Sequence, residues 1–185
     1  VPYYKELANF TLPTVAIDLQ VGNGAISTIS IDNEQAAAEV TERLIKAGHE
    51  HILFLNGTKQ DEVSQKREAG YRSKVKNAQV VYAHFSEEEA FDYIYQMEKI
   101  EEVDAIFAAS DLMAIGVLKA LRERNLAKPP AVVGFDDMAL AAYVTPSLTT
   151  VRQDIETMSQ QAVKDLLNQI EHQKVTHRLL PYEII

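Results

Sequence analysis

Short apolar runs, rich in β-branched and aromatic residues, recur at Thr14–Ile17, Ser27–Ile31, His51–Leu55, Gln79–Ala83, Ala105–Ala109 and Ala131–Phe135. Each has the length of a strand, and the runs are nearly continuously apolar, as in strands covered on both faces. Between most of them the apolar spacing becomes helical. Asn33–Ala47 carries Ala36, Ala37, Val40, Leu44 and Ile45 on one face, with Asp32-Asn33-Glu34-Gln35 as a cap and Gly48 as the stop. Ser86-Glu87-Glu88-Glu89 is a capping box opening a helix to about Glu101, and a further helix spans Asp111 to Asn125. A last helix, Asp154–Gln173, places Ile155, Met158, Ala162, Val163, Leu166, Leu167 and Ile170 on a single stripe, and His177–Ile185 follows as a terminal strand.

Strands alternating with helices of this length imply parallel βαβ units, hence an α/β, three-layer, doubly wound fold with sheets covered on both faces. No internal repeat, low-complexity tract or Gly/Ser linker interrupts the pattern, so any division into lobes is made by crossovers rather than a flexible tether.

Composition narrows what such a fold can be for. The 185 residues suffice for one domain or two small ones, and 46% hydrophobic residues build a real core. Basic side chains number 18 against 27 acidic, a net charge of -9, which argues against these residues holding DNA by themselves. The absence of cysteine removes disulfides, thiolate zinc sites and cysteine nucleophiles. No apolar run approaches the roughly 20 residues of a membrane span. Val1-Pro2-Tyr3-Tyr4-Lys5-Glu6 lacks the basic start and apolar segment of a signal peptide. A start without Met marks the chain as an expected fragment.

In open α/β sheets, ligands bind beyond the carboxyl ends of the strands. Asp18 follows the first run, Asn56-Gly57-Thr58 the third, Ser110-Asp111 the fifth and Asp136-Asp137 the sixth. These small polar and acidic groups would converge on one rim as hydrogen-bond acceptors. Helix caps and turns favour the same residue types, so single positions have a second explanation. At Asp136 the adjacent carboxylates exceed what one cap needs.

Other chemistries find little footing. Gly22-Asn23-Gly24 is only a GxG and reads as a turn; no P-loop or Gly-x-Ser-x-Gly elbow occurs. His49-Glu50-His51 straddles a helix end and a strand start without a third metal ligand, where a histidine complements the helix C-terminus. Asp111, Asp136 and Asp137 could hold Mg²⁺ in a phosphoryl-transfer enzyme, but no phosphate-cradling loop accompanies them. No metal and no cofactor are expected.

Particular strings carry a resemblance. Val133-Gly134-Phe135-Asp136-Asp137, then Pro146-Ser147-Leu148-Thr149-Thr150-Val151-Arg152-Gln153-Asp154, resemble the lactose-repressor/galactose-repressor (LacI/GalR) family of bacterial transcription regulators. So do Pro13–Asp18, Ile31-Asp32-Asn33, Ala47–Ile52 with Phe54, Arg67-Glu68-Ala69-Gly70-Tyr71, Asp104-Ala105-Ile106 and Met113-Ala114-Ile115-Gly116. The similarity covers essentially the whole chain, and the wider fold is shared with periplasmic sugar-binding proteins.

The resemblance implies a periplasmic-binding-protein-like type I fold, an effector-binding core of two α/β lobes joined by three crossovers with a small molecule between them. The family's helix-turn-helix, hinge helix and first N-lobe strands have no counterpart here, so the C-lobe is complete and the N-lobe partial. On this mapping residues 1–30 end the N-lobe, 31–150 form the C-lobe, 151–174 return to the N-lobe and 175–185 form a terminal crossover strand. The implied ligand-binding residues are Asp18, Arg67, Phe85, Ser110, Asp136 and Gln153. Asp18 accepts sugar hydroxyls, Arg67 donates through its planar fork, and Phe85 stacks on a sugar or base face. Asp136 takes a bidentate pair of hydroxyls or amines, and Gln153 closes the crossover. Ser110 stands where sugar-responsive members often carry Asn, and Ala36 replaces a frequent Gly. The connectors Lys74–Ala78 and Lys128-Pro129-Pro130 are short for the family.

The expected role is therefore allosteric and not enzymatic. A sugar or sugar phosphate would shift DNA binding through its differential affinity for two lobe orientations. A cytoplasmic homodimer, with Leu112, Val117, Leu118, Leu121 and Tyr143 at its interface, would meet a palindromic operator through a helix-turn-helix absent from these residues. A periplasmic or extracellular sugar-binding protein of the same fold is the alternative.

Overall fold

A computed structural model describes residues 11–19, 25–145 and 147–185. The segment Val1–Glu6, the Gly22-Asn23-Gly24 turn and Pro146 of the repressor-like string lie outside the described residues. In chain order the elements are β1 (Val15–Ile17), β2 (Ser27–Ile31), α1 (Asn33–Lys46), β3 (Ile52–Asn56), α2 (Glu62–Arg72), β4 (Gln79–Tyr82) and α3 (Glu87–Gln96). They continue with β5 (Ala105–Ala108), α4 (Asp111–Arg124), β6 (Ala131–Val133), β7 (Val151–Gln153), α5 (Ile155–His172), β8 (His177–Leu180) and β9 (Tyr182–Ile184). Short 3₁₀ turns stand at Ile100–Glu102 and Ala139–Ala142.

The chain forms two compact units. The first takes Val1–Asn33 and Gln153–Tyr182; the second takes Glu34–Arg152 and Glu183–Ile185, so the chain passes between them three times. The second unit is built on a parallel sheet of order β4-β3-β5-β6. All five residues of β3 and all four of β5 are buried, which is why their sequences lack alternation. Phe54 packs on Phe107 and Tyr71 at ring separations of 4.8 and 5.1 Å, and the Tyr71 hydroxyl donates to the Ile52 carbonyl at 2.6 Å. That bond lets a phenol lie fully buried without an unsatisfied polar group.

The first unit holds a parallel sheet of order β1-β2-β8, with α5 bonded to it. The stripe read along the last helix is not uniformly buried. Met158, Asp165 and Gln169 face inward, whereas Ile155, Val163, Leu167 and Ile170 are each more than half exposed. Polar bonds set that rotation. Gln169 accepts the Thr14 N–H at 3.1 Å and donates to the Ala25 carbonyl at 2.9 Å. Asp165 takes a bidentate pair from Arg178 of β8 at 2.6 and 2.9 Å.

Other expectations change in detail. The terminal strand is two, β8 and β9, separated at Pro181, whose missing N–H cannot continue a ladder. The capped helix at Ser86 ends at Gln96, because Met97 is extended, and a separate 3₁₀ turn follows at Ile100–Glu102. α2 was not among the expected helices. Its sequence carries no apolar stripe, and the face it buries is Ser64, Arg67, Gly70 and Tyr71. Asp61, whose carboxylate accepts the Ser64 N–H at 2.9 Å, starts it.

Candidate functional site

Because the four strands of the second unit are parallel, their carboxyl ends lie along one edge. β3 delivers Asn56 and Gly57, β4 delivers Ala83-His84-Phe85, β5 delivers Ala109-Ser110-Asp111, and β6 delivers Gly134-Phe135-Asp136-Asp137. α2 adds Arg67 to this rim. Arg67 is 3% exposed; its Nη1 donates to the Ala109 carbonyl at 2.5 Å, and its guanidinium lies 3.6 Å above the Phe135 ring. Its Nη2 stands 3.6 Å from Asp136 Oδ1. An arginine held by a carbonyl, a ring face and a carboxylate has lost most of its rotamer freedom before any ligand arrives.

Asp136 and Asp137 both have left-handed backbones, at φ 107 and 52. Such conformations cost on the order of 1–3 kcal/mol each and persist only where neighbours impose them. Here the Asp136 N–H donates to the Val151 carbonyl at 2.9 Å, and the Asp137 N–H to Thr150 Oγ1 at 3.3 Å. The two carboxylates part company: Arg152 Nε donates to Asp137 at 2.6 Å, while Asp136 keeps company with Arg67. Both carboxylates are therefore used, and one cap does not account for them.

Asp111 is fully buried and belongs to the scaffold. It accepts the Thr150 hydroxyl at 2.6 Å and the Met138 N–H at 2.7 Å. Burial pushes its carboxyl up to about 6, and the nearby Asp136 charge pushes the same way against those two bonds. A Cβ on Gly134 would stand 2.1 Å from Asp111 Oδ1, so glycine is what lets β6 end against this carboxylate. Among the described residues no group of three or more acidic or histidine side chains could hold a metal.

Ser110 caps α4, its Oγ accepting the Met113 N–H at 3.3 Å, which leaves its hydroxyl hydrogen and one lone pair for a ligand. Phe85 and His84 are both left-handed, at φ 57 and 49. The Phe85 ring closes over Gly57, where a Cβ would stand 2.1 Å from Cε2 and Cζ. Thus Arg67, Phe85, Ser110 and Asp136 share one rim in the second unit. Asp18 and Gln153 lie in the first unit. Asp18 follows β1 at φ 55 and accepts the Ser30 hydroxyl at 2.7 Å; Gln153 is buried at the end of β7.

The residues expected at a dimer interface divide. Val117 and Leu121 are buried in their own unit, at 0% and 5%; Val117 is corrected to a core position, whereas Leu121 lines a groove with Leu118 and Arg122. Leu112 and Leu118 are half-buried, and Tyr143 is 82% exposed. Sequence reasoning did not single out Glu68 or Tyr82, which bond each other at 2.6 Å behind the rim. The sequence signals at Glu68 are its place in the Arg67–Tyr71 string and its spacing to Arg72, the latter the pattern of an ordinary surface pair.

Residues 41–185 match the family model of the periplasmic binding protein-like domain. The ribose operon repressor of Halalkalibacterium halodurans is 32% identical over 189 residues, covering 98% of this chain and 56% of the relative. The chain spans about half the length of the curated relatives it matches. An uncharacterized protein from Actinobacillus succinogenes superposes with a TM-score of 0.88 at 31% identity, over 100% of this chain and 72% of that one. The Lac repressor bound to ONPG in the repressed state superposes with a TM-score of 0.83 at 28% identity, over 97% and 57%. With its parallel α/β sheets and this strand-end rim, the chain belongs to the periplasmic binding protein-like domain family and is an effector-binding core of the kind found in LacI-family regulators.

Proposed function

We propose that this chain is the sugar-sensing part of a LacI-family DNA-binding transcriptional repressor. The observation that carries the reading is the Arg67–Asp136 pair, held 3.6 Å apart at the strand-end rim. A planar donor fork beside a carboxylate acceptor, with an aromatic ring on the same rim, suits a polyhydroxylated ring. Donors meet hydroxyl or phosphate oxygens, Asp136 accepts hydroxyl hydrogens, and Phe85 covers an apolar ring face. Support comes from the names of relatives, which include ribose operon repressors and a Lac repressor bound to ONPG.

The site acts by binding rather than by catalysis, in keeping with relatives that are regulators. A ligand shifts a two-state equilibrium only by its differential affinity for the two states. The protein works in the cytoplasm, where a helix-turn-helix outside these residues meets operator DNA. Among the described residues no helix is long and apolar enough to cross a membrane. A second copy docks on the groove of about 400 Å³ lined by Leu118, Arg122, Leu126, Pro130 and Leu148. Exposed Leu140 and Tyr143 supply apolar surface on the same unit.

Thermal-shift screening of the chain against sugars and sugar phosphates tests the reading. A ligand at 100 times its Kd stabilises by about 2.7 kcal/mol, and Asp136→Asn should abolish that response. An undiminished shift in Asp136→Asn would overturn the site. Mg²⁺-dependent turnover that Asp136→Asn eliminates would replace binding by catalysis.

A further inference from the structure

α2 serves the rim from two sides, and consecutive residues divide the task. Arg67 reaches the ends of β5 and β6 through Ala109, Phe135 and Asp136. Glu68 reaches the ends of β3 and β4. Its Oε2 accepts both Asn56 Nδ2, at 3.2 Å, and the Tyr82 hydroxyl, at 2.6 Å, while Oε1 accepts Arg72 Nε at 2.7 Å. Asn56 and Tyr82 are register partners and the last residues of their strands. Asn56 is fully buried; it also donates to the Ser64 carbonyl at 3.0 Å and accepts the Gly57 N–H at 2.8 Å.

Neighbouring side chains on a helix diverge by about 100°. One helix therefore straddles all four strand ends, anchored by a carboxylate on one side and presenting a guanidinium on the other. The electrostatics support an ionised anchor. Burial alone would raise the Glu68 carboxyl, but the Tyr82, Arg72 and Asn56 donors outweigh it and hold the group below its usual range. Tyr82 is pushed up to about 12, by burial first and then by the Glu68 carboxylate, so it stays a donor.

We propose that Glu68, gripping Tyr82 and Asn56, is a positioning residue for effector recognition, fixing the rotation of α2 at which Arg67 meets Asp136. The proposal rests on the Arg67–Asp136 pair being the ligand site. Binding groups need placement within about 0.5 Å, so a helix freed on its Glu68 side loosens the arginine without unfolding the sheet.

Hydrogen exchange of the Arg67 guanidinium, followed by ¹⁵N NMR in the 185-residue chain and assigned with Arg67→Lys, reads this directly. The backbone amide of Phe107, in the buried centre of β5, reports global opening. In Tyr82→Phe the Arg67 protons should exchange about fivefold faster or more, with the Phe107 amide changing less than about twofold. Glu68→Gln, which keeps one acceptor oxygen, should fall between Tyr82→Phe and the unmodified chain. Equal acceleration of both probes, or of neither, would overturn the proposal. No ligand enters the experiment, so an empty sugar screen beside a selective Arg67 response would fault the ligand reading and leave the coupling standing.

Discussion

Thr150 donates its hydroxyl hydrogen to Asp111 Oδ1 at 2.6 Å, across 39 positions of the chain. With the Met138 N–H on the other oxygen, this bond closes the segment after β6 back onto the start of α4. The segment includes Asp136 and Asp137, whose left-handed backbones need such restraint. A buried carboxylate thus holds the strained turn that presents the Asp136 carboxylate.

Asp111 makes stability depend on pH in an unusual direction for an acid. Its folded value of about 6 lies above the ordinary 3.8, so its contribution is full below about 3.8 and is lost as pH rises through 6. The window corresponds to about 3 kcal/mol. Urea unfolding of the unmodified chain and Asp111→Asn across pH 4 to 7.5 checks this: relative to the variant, the unmodified chain should lose stability as pH rises. A constant difference would refute it.

Gly57 leaves room for the Phe85 ring. Gly57→Ala puts a methyl where Cε2, Cζ and the Ser64 hydroxyl now stand. Overpacking of this kind costs about 1–3 kcal/mol. A sugar-induced thermal shift should fall or vanish in Gly57→Ala beyond what its lowered Tm accounts for. Retention of the full shift would remove Phe85 from the site.

Arg178 satisfies a fully buried Asp165 in the first unit. Its hydrogen bonds, first among the causes, hold the Asp165 carboxyl below the usual range. That contribution is present above about 3.8 and fades as pH falls through the lower folded value. Arg178→Gln should cost about 2 kcal/mol at pH 7, less than a sealed ion pair because the arginine is partly exposed. The deficit should narrow below pH 4 in denaturant titrations.

The faces of α5 should respond unequally. Met158→Ala should cost about 2–4 kcal/mol by opening a cavity, whereas Leu167→Ser should stay within about 0.5 kcal/mol. Chemical unfolding of both variants tests the helix rotation; similar costs would mean both faces are covered.

Much of this was legible in sequence. β2 falls on Ser27–Ile31 as read, and α5 runs between Asp154 and Gln173, which serve as its two caps. The strand-end convergence of Ser110 and Asp136 followed from parallel strands alone. α2 escaped notice because its inward face is made of serine, arginine, glycine and tyrosine, which carry no hydrophobic period. Val117 looked available for a partner because a helix's apolar residues do not say which neighbour they meet.

Local patterning determined most of the strands and helices, that the sheets are parallel, and the family itself. Tertiary structure decided how each helix is turned. Gln169 meets Thr14 across 155 positions, and Glu68 meets Tyr82 across 14. Such bonds select one rotation among several that periodicity permits, because a buried polar group left unmatched costs more than an apolar one left in water.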